Sequence, residues 1–147
     1  MNNLKLRLHP DPFLLRPSTP VKEVRENHVK TAIRMHELMK VLGGLGLSAP
    51  QVGVPYSVVV INTLGYENGI KLTMFNPEIE HLSEELHEFR EGCLSFPDEF
   101  IDSKRPATCI VRYVDSQNNQ CVKTLHGISS VCAQHEIDHI NGILFKS

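Results

Sequence analysis

Residues 128–141 of the chain have the sequence ISSVCAQHEIDHIN, and this pattern constrains both the fold and the chemistry. Its apolar positions, with Gly127 before them and Asn141-Gly142 after them, predict a helix over about residues 128 to 141. His135 and His139 are four positions apart, so a helix places both imidazoles on one face with Cβ atoms about 5–6 Å apart. Both rings can therefore reach one divalent ion at about 2.0–2.1 Å.

Glu136 completes the spacing H-E-x-x-H between the two histidines. A glutamate in this position lies beside the ion without having to ligate it, which suits a general base for a metal-bound water. The pattern therefore predicts a hydrolase that uses a metal hydroxide. The alternative is a buried helix whose two histidines only satisfy hydrogen bonds.

A catalytic site of this kind needs a third protein ligand and one open position, and the chain offers several candidates. Cys132 shares the helix face with the histidines, but seven residues of helix rise about 10.5 Å, too far for one ion to bind at both ends and the middle. Cys132 is therefore interpreted as a wall residue, and Cys109 and Cys121 as buried strand residues. Cys93, at the end of a predicted strand, has only a modest advantage over His126, which precedes the helix.

The composition is that of an ordinary globular chain. A length of 147 residues fits a single domain, residues 1–147, with a core of its own. The net charge of −2 gives no indication of binding to nucleic acid or to an anionic membrane. No apolar run approaches the length of a membrane span and no secretory signal is evident, so a cytoplasmic location is expected. The cysteines are then expected to be thiols or metal ligands rather than disulfides.

Apolar spacing predicts the other elements. Helical spacing from about Glu23 to Leu42, ended by Gly43-Gly44, predicts an amphipathic helix, and the prolines of residues 9–21 predict extended surface chain. Strands are predicted over residues 57–62, 72–75, 85–91, 108–114 and 120–125. The last two flank a polar turn and form a hairpin. Strands followed by a final helix favour an α+β fold with antiparallel sheets over a doubly wound fold.

Three motifs follow one another along the chain: Gly44–Gln51 (GLGLSAPQ), Glu91–Ser95 (EGCLS) and Gln134–His139 (QHEIDH). Together with the proline-rich opening from Pro10 to Val21, they resemble the peptide deformylase family. The resemblance implies an α+β fold with antiparallel β-sheets packed around a central metal-binding helix. It also implies a metal-dependent hydrolase that removes the formyl group from the N-terminal formyl-methionine of nascent polypeptides and releases formate.

The same resemblance implies roles for individual residues. The metal ligands would be Cys93, His135 and His139. Glu136 would be the general base and then the general acid. The Gln51 side-chain amide and the Leu94 backbone N–H would donate hydrogen bonds to the oxyanion. The residues expected to contact the bound peptide or to line its methionine pocket are Leu45, Gly46, Phe89, Gly92, Val131 and Cys132. Asp138 is expected to orient a ligand or to pair with a cation such as Arg105.

A cofactor and partners are implied as well. One divalent ion is expected, with Fe²⁺ as the physiological metal and Zn²⁺, Ni²⁺ or Co²⁺ as replacements, because thiolate and imidazole ligands bind all of them. The substrates would be N-formyl-methionyl peptides, met near the ribosomal exit for nascent chains by a monomeric enzyme. No direct contact with nucleic acid or membrane is expected.

The chain departs from the family pattern in two places. Ser48 stands where alanine is usual. The sequence ends eight residues after His139, which is similar to compact, phage-encoded members that lack the usual C-terminal helix.

Two rival interpretations use the same motif. An H-E-x-x-H metalloprotease would cleave internal peptide bonds and would not require Cys93. A metal-stabilised binding module would need four protein ligands and no open position.

Overall fold

The computed structural model of the protein describes residues 4–144, which form two α-helices, two short 3₁₀ helices and seven strands. The helices are α1 (Glu26–Leu42) and α2 (Ile128–Ile140), and the 3₁₀ helices span Pro12–Leu15 and Ala49–Val52. The strands are β1 (Gly46–Ser48), β2 (Val58–Asn62), β3 (Lys71–Leu82), β4 (Leu86–Cys93), β5 (Phe96–Pro106), β6 (Thr108–Val114) and β7 (Gln120–His126). The expectation that the usual C-terminal helix is missing concerns the chain after residue 144, which lies outside the described residues.

The strands of residues 4–144 form two antiparallel sheets. Five strands pair in the order β1-β2-β3-β6-β7, and β4 pairs with β5 in a separate two-stranded sheet. The predicted β6–β7 hairpin is confirmed, with Thr108 opposite His126 and Val114 opposite Gln120. Because the antiparallel strands and the two helices occupy separate stretches of chain, the predicted α+β class is confirmed.

The apolar run of β2 is explained by burial on both faces of the larger sheet. Successive strand residues point to opposite faces. Val59 and Ile61 belong to a core cluster with residues of α2, whereas Val58 and Val60 belong to a second cluster with residues of α1. The two helices therefore cover opposite faces of the sheet, and β2 lies between them.

Helix α2 is the central element of the fold. It contacts β1, β2, β3 and β7 of the larger sheet and also β4 and β5 of the smaller one. Eleven of its 13 residues are buried, so it lacks the polar outer face of a surface helix. The buried residues include charged and polar side chains, which need specific partners at that depth. The predicted helix is confirmed and ends one residue earlier than expected.

Helix α1 begins at Glu26, three residues later than predicted, and ends at Leu42, with Gly43 as its C-cap. Gly43 has a φ of 73°, a left-handed conformation that glycine adopts without steric cost, so the predicted stop is confirmed. Neither α1 nor any other helix within residues 4–144 combines the length and the apolar character needed to cross a membrane.

The N-terminal segment is less extended than predicted. Asp11 Oδ1 accepts a hydrogen bond from the Phe13 N–H at 2.9 Å and caps the 3₁₀ helix Pro12–Leu15, in which Leu14 is fully buried. A proline at the first helical turn is compatible with such a helix, because its missing N–H would have no partner there. The expectation of purely extended surface chain was therefore wrong at this point.

Two features of the strands differ from the predictions. β3 continues through Asn76-Pro77 to Leu82, because register shifts against β6 accommodate the proline. β5 is not predicted by the sequence pattern, since it has Pro97 near its start and charged residues occur at both its exposed and its half-buried positions. The predicted strand 85–91 is β4, which pairs with β5 to form a long antiparallel hairpin. Cys93 is the last residue of β4, directly before the turn of this hairpin.

Candidate active site

Three donor atoms meet where α2 packs against the end of β4. The Sγ atom of Cys93 lies 3.3 Å from Nε2 of His139, which in turn lies 3.3 Å from Nε2 of His135. All three atoms lie within 4.8 Å of one another. Two ligands bound to one tetrahedral ion at about 2.0–2.3 Å are about 3.3–3.7 Å apart, so this donor set fits a single divalent metal ion.

The other candidates for a third ligand lie elsewhere. His126 is exposed on β7, and its Nδ1 atom is 3.2 Å from the Thr108 hydroxyl. Cys109 is buried in the core, with its Sγ atom 4.0 Å from a backbone carbonyl of α2. Cys121 lies half-buried near Asp115. The fold therefore brings Cys93, and not these residues, to the two histidines.

Glu91 is a further part of the site that the sequence analysis missed. Its Oε1 atom lies 2.9 Å from Nδ1 of His135, and its Oε2 atom accepts a hydrogen bond from Nε of Arg105 at 2.7 Å. Arg105 also forms a salt bridge with Asp138, with Nη1 3.1 Å from Oδ2. The expected pairing of Asp138 with Arg105 is therefore confirmed. Glu91 is two residues from Cys93 on one strand, and this spacing puts both side chains on the same face.

The negative charge of Glu91 is stabilised by the donors around it. Burial alone would raise its pKa, but hydrogen bonds from His135, Arg105 and Ser103 lower the pKa to about 2. The carboxylate is therefore ionised at neutral pH although it is 2% exposed. A buried anion that accepts a hydrogen bond from the Nδ1–H of His135 leaves the Nε2 lone pair of that ring available for a metal.

The electrostatic surroundings of the two histidines differ. Burial lowers the pKa of His139 to about 3, with further lowering from the positive charges of His135 and Arg105, so this ring is neutral. Burial also acts to lower the pKa of His135, but the negative charge of Glu136 and the contacts with Cys93 and Glu91 outweigh it and raise the pKa to about 10. The surroundings of His135 thus favour a positive charge, which a divalent cation also supplies.

Glu136 is the remaining acidic group of α2 at this site. Its Oε2 atom is 4.0 Å from Nε2 of His135, and its Oε1 atom is buried without a hydrogen-bond partner in residues 4–144. Burial raises its pKa to about 7. A carboxyl group beside the donor cluster, with one unpartnered oxygen and a pKa near neutrality, is suited to accept and return a proton.

Gly46 of β1 packs directly on this glutamate. A Cβ atom at position 46 would lie 2.7 Å from Oε2 and 2.8 Å from Cγ of Glu136, distances that real Cβ contacts do not show. The absence of a side chain at Gly46 is therefore what leaves room for the carboxylate in its present place.

Gln51 approaches the cluster from the 3₁₀ helix Ala49–Val52. Its Nε2 atom lies 3.6 Å from Sγ of Cys93 and donates to the Ser95 hydroxyl at 3.1 Å. Leu94 follows Cys93 and contributes a side chain that packs towards the α1 side of the sheet. The motifs Gly44–Gln51 and Glu91–Ser95 therefore meet at the histidine motif of α2.

A cavity of about 580 Å³ opens beside these residues. This is within the range of small-molecule sites, about 300–1,000 Å³. Its wall includes most of the residues expected at the metal, the base and the peptide, namely Leu45, Gly46, Phe89, Gly92, Cys93, Leu94, Cys132, His135 and Glu136. It also includes Tyr66 and Phe100, two aromatic residues that the sequence analysis did not identify.

Two residues expected at the methionine pocket differ in position. Cys132 lies on the cavity wall, and burial together with the negative charges of Glu136 and Glu91 raises the pKa of its thiol to about 12, so it is a neutral wall residue. Val131 is 1% exposed and is not on the wall of this cavity, because its position on α2 faces packed protein.

The fold and the site define a class of proteins. They are α+β proteins in which a buried H-E-x-x-H helix and a cysteine at a strand end present one metal-binding donor set to an apolar cavity.

Comparison with known proteins identifies the family within that class. The polypeptide deformylase family model matches residues 3–147, and the chain belongs to the peptide deformylase family. A peptide deformylase of Rhizobium meliloti (strain 1021) is 40% identical over 137 residues, 92% of this chain and 79% of the relative. The resemblance expected from the three motifs is thus confirmed, and the chain is an enzyme of a metal-dependent hydrolase family.

Solved structures agree in fold. The crystal structure of peptide deformylase from Ehrlichia chaffeensis in complex with actinonin is 38% identical, with a TM-score of 0.92, and the match covers 99% of this chain and 87% of that one. The Met-Ala-Ser-bound crystal structure of class I type b peptide deformylase from Acinetobacter baumannii is 31% identical, with a TM-score of 0.88 and coverage of 98% and 96%.

Proposed function

We propose that the protein removes the formyl group from the N-terminal formyl-methionine of nascent polypeptides by metal-dependent hydrolysis and releases formate. One observation carries the proposal: Cys93 Sγ and the Nε2 atoms of His135 and His139 lie within 4.8 Å of one another, with Glu136 beside them on the wall of a cavity. The A. baumannii relative, which binds Met-Ala-Ser, supports a methionine-led peptide as the product.

Cys93, His135 and His139 would hold one divalent ion, and three protein ligands leave a position open. When bound, such an ion supplies Lewis acidity, which polarises the formyl oxygen and makes a coordinated water acidic, with a pKa of about 7. We take Fe²⁺ as the physiological metal, with Zn²⁺, Ni²⁺ or Co²⁺ as replacements. The family membership and the mixed thiolate and imidazole donors support this choice.

Glu136 acts as the general base and then the general acid. Its carboxylate takes a proton from the attacking water, whose oxygen bonds to the formyl carbon. The same carboxyl group then returns the proton to the amine nitrogen as the C–N bond breaks, so that formate and a free N-terminus are produced. The unpartnered Oε1 atom and a pKa raised to about 7 support this assignment.

Gln51 and Leu94 act as donors to the oxyanion. The Gln51 side-chain Nε2–H and the Leu94 backbone N–H would stabilise the negative charge that develops on the formyl oxygen. Removal of one such donor typically lowers the rate by about 10²–10³-fold. The position of Gln51 Nε2, 3.6 Å from Cys93 Sγ, supports its part in this pair.

The cavity would admit the methionine side chain and the peptide that follows it. Leu45, Phe89 and Cys132 supply apolar or polarisable walls, and Gly46 and Gly92 would contact the bound peptide from the same wall. Val131, which is buried in α2 and is not on the cavity wall, would support the methionine pocket from behind through its packing. A formyl group carries only hydrogen on its carbon, so a tight site can admit it and exclude larger acyl groups.

The partners follow from the substrate. The enzyme would act in the cytoplasm as a monomer, on N-formyl-methionyl peptides emerging from the ribosome. Neither nucleic acid nor membrane is part of this function.

The test is the hydrolysis of formyl-Met-Ala-Ser by the wild type and by Cys93→Ala, with bound metal measured on both. We expect formate release by the wild type and loss of both activity and metal in the variant. Cys121→Ala, which removes a half-buried cysteine of β7, is the matched control. Cleavage of internal bonds in casein without formate release would instead indicate a metalloprotease and would contradict the proposal.

A further inference from the structure

Serine side chains hold the carboxamide of Gln51 at both ends. Its Oε1 atom accepts a hydrogen bond from the Ser48 backbone N–H at 2.9 Å and another from the Ser48 hydroxyl at 3.0 Å. Its Nε2 atom donates to the Ser95 hydroxyl at 3.1 Å. Ser48 and Ser95 are fully buried and Gln51 is 1% exposed, so solvent does not compete for these bonds.

These contacts fix which end of the amide faces the metal donors. A backbone N–H can only donate, so the atom opposite the Ser48 N–H must be the amide oxygen. A flipped carboxamide would place its NH₂ group against that N–H and leave two donors facing each other in a buried place. The NH₂ group of Gln51 is therefore directed towards Cys93 and Ser95.

The two protons of that NH₂ group have separate uses. One is directed to the Ser95 hydroxyl, and the second is left for the side of Cys93, 3.6 Å away, where the reacting oxygen would lie. The Ser48 hydroxyl adds a second donor to the amide oxygen and so limits rotation of the group about its last torsion. Alanine at position 48 would keep the backbone donor and lose this one.

We propose that Ser48, together with Ser95, is a positioning residue for the hydrolysis: the two hydroxyls hold the Gln51 carboxamide so that one Nε2–H points at the developing oxyanion. The inference rests on the proposed function, because it assumes that Gln51 is an oxyanion donor. It assigns the buried Ser48 hydroxyl an effect on kcat that acts through Gln51.

The kinetic test uses Ser48→Ala, Ser95→Ala, Gln51→Ala and the double variant Ser48→Ala/Gln51→Ala. One neutral hydrogen bond corresponds to a change of about 3- to 10-fold, so Ser48→Ala should lower kcat by about that factor with KM and bound metal unchanged. Ser95→Ala should act in the same direction. In the Gln51→Ala background, removal of the Ser48 hydroxyl should lower kcat no further, because the amide that it orients is gone and only its capping contact with the backbone N–H of residue 51 is lost.

Ser130→Ala is the matched control, since Ser130 is a fully buried serine whose hydroxyl accepts from the amide of a different glutamine, Gln134, at 2.9 Å. Its kcat should equal that of the wild type. Wild-type kcat in Ser48→Ala, or an equal loss in the Gln51→Ala background, overturns the inference alone. Wild-type kcat in Gln51→Ala overturns the oxyanion role as well.

A structural readout does not depend on activity. The chain has four glutamines, Gln51, Gln117, Gln120 and Gln134, so selective ¹⁵N labelling of the zinc-loaded enzyme gives a simple side-chain amide spectrum. The Nε2 protons of Gln51 should exchange slowly with water in the wild type and faster in Ser48→Ala, while those of Gln134 stay unchanged. Equal exchange of Gln51 in both proteins would contradict the proposal.

Discussion

The Nδ1 atom of His135 lies 2.9 Å from the Oε1 atom of Glu91, and this contact joins the smaller sheet to the helix that carries the site. Glu91 is ionised and nearly fully buried, so it holds the ring in the tautomer that has its proton on Nδ1. The Nε2 atom then points to the same place as Cys93 and His139. The hydrogen bond therefore fixes the orientation that metal binding by His135 would need, and binding would displace the Nε2 proton, because the pKa of the ring is raised to about 10.

Glu91→Gln should weaken metal binding. The amide has almost the same size but no charge, so it no longer raises the basicity of His135. Loss of such a partner typically costs about 10–100-fold in metal affinity, measurable as zinc competition with a chelator. Glu88→Gln is the control, because Glu88 lies on the same strand but pairs with the exposed Lys104 at 3.3 Å. Equal zinc affinity for the wild type and Glu91→Gln would refute the role assigned to this carboxylate.

Removal of the Arg105 side-chain charge should lower the free energy of unfolding far more than removal of the charge of Asp138, its second partner. Arg105→Leu leaves the buried Glu91 carboxylate without its arginine partner and with only His135 and Ser103 beside it, and removal of one partner of a buried ion pair typically costs about 3–5 kcal/mol in the free energy of unfolding. Asp138→Asn should cost less than about 1 kcal/mol, because the Asp138 side chain is 32% exposed. Urea denaturation with a chelator present separates these effects from metal binding. Similar losses in the two variants would contradict the prediction.

Gly46→Ala should lower turnover without releasing the metal. The new Cβ would lie 2.7 Å from Oε2 of Glu136, so the carboxylate must move away from the place where it accepts a proton. A displacement of about 1 Å can cost about 10²-fold in rate, and we expect a fall of about 10- to 100-fold in kcat. Gly65→Ala is the control, since a Cβ there meets nothing within 4 Å. Unchanged kcat in Gly46→Ala would show that the contact is not needed.

The elements that the sequence predicts well are those whose pattern follows from burial by their own neighbours. β2 is a continuous apolar run because both of its faces are covered, and the β6–β7 hairpin follows from the polar turn between its strands. Helix α2 follows from its histidine spacing and its terminal residues. β5 could not be found in this way, because its charged alternation gives no apolar face and its order depends on pairing with β4.

The site shows the same division. His135, Glu136 and His139 follow from one local motif, whereas Cys93 had only a modest advantage until the fold placed it 3.3 Å from His139. Glu91 belongs to the EGCLS motif, but the motif gave it no role, since its partner His135 lies 44 residues away along the chain. Contacts between distant segments depend on tertiary packing, which spacing within one element does not encode.

His36 should make the stability of the protein depend on pH independently of the metal site. Its Nε2 atom lies 2.9 Å from the Thr73 hydroxyl, and its Nδ1 atom is buried without a partner in residues 4–144. Burial, and secondly the positive charge of Lys71, lower the pKa of His36 below its ordinary value of 6.5. The folded state therefore holds this ring neutral at a pH where the unfolded chain already binds a proton.

The sign of the effect follows from proton binding. Above about pH 6.5 both states are neutral at this position and the contribution is complete, whereas below it the unfolded state binds more protons and the free energy of unfolding falls. We expect the wild type to lose more stability than His36→Gln when the pH is lowered from 7.5 to about 5.5, by at most about 1.4 kcal/mol per pH unit. Urea denaturation with a chelator present measures this difference, with His126→Gln, which removes an exposed histidine, as the comparison variant. If the wild type and His36→Gln lose equal stability over this range, the burial of His36 has no thermodynamic consequence and the prediction is wrong.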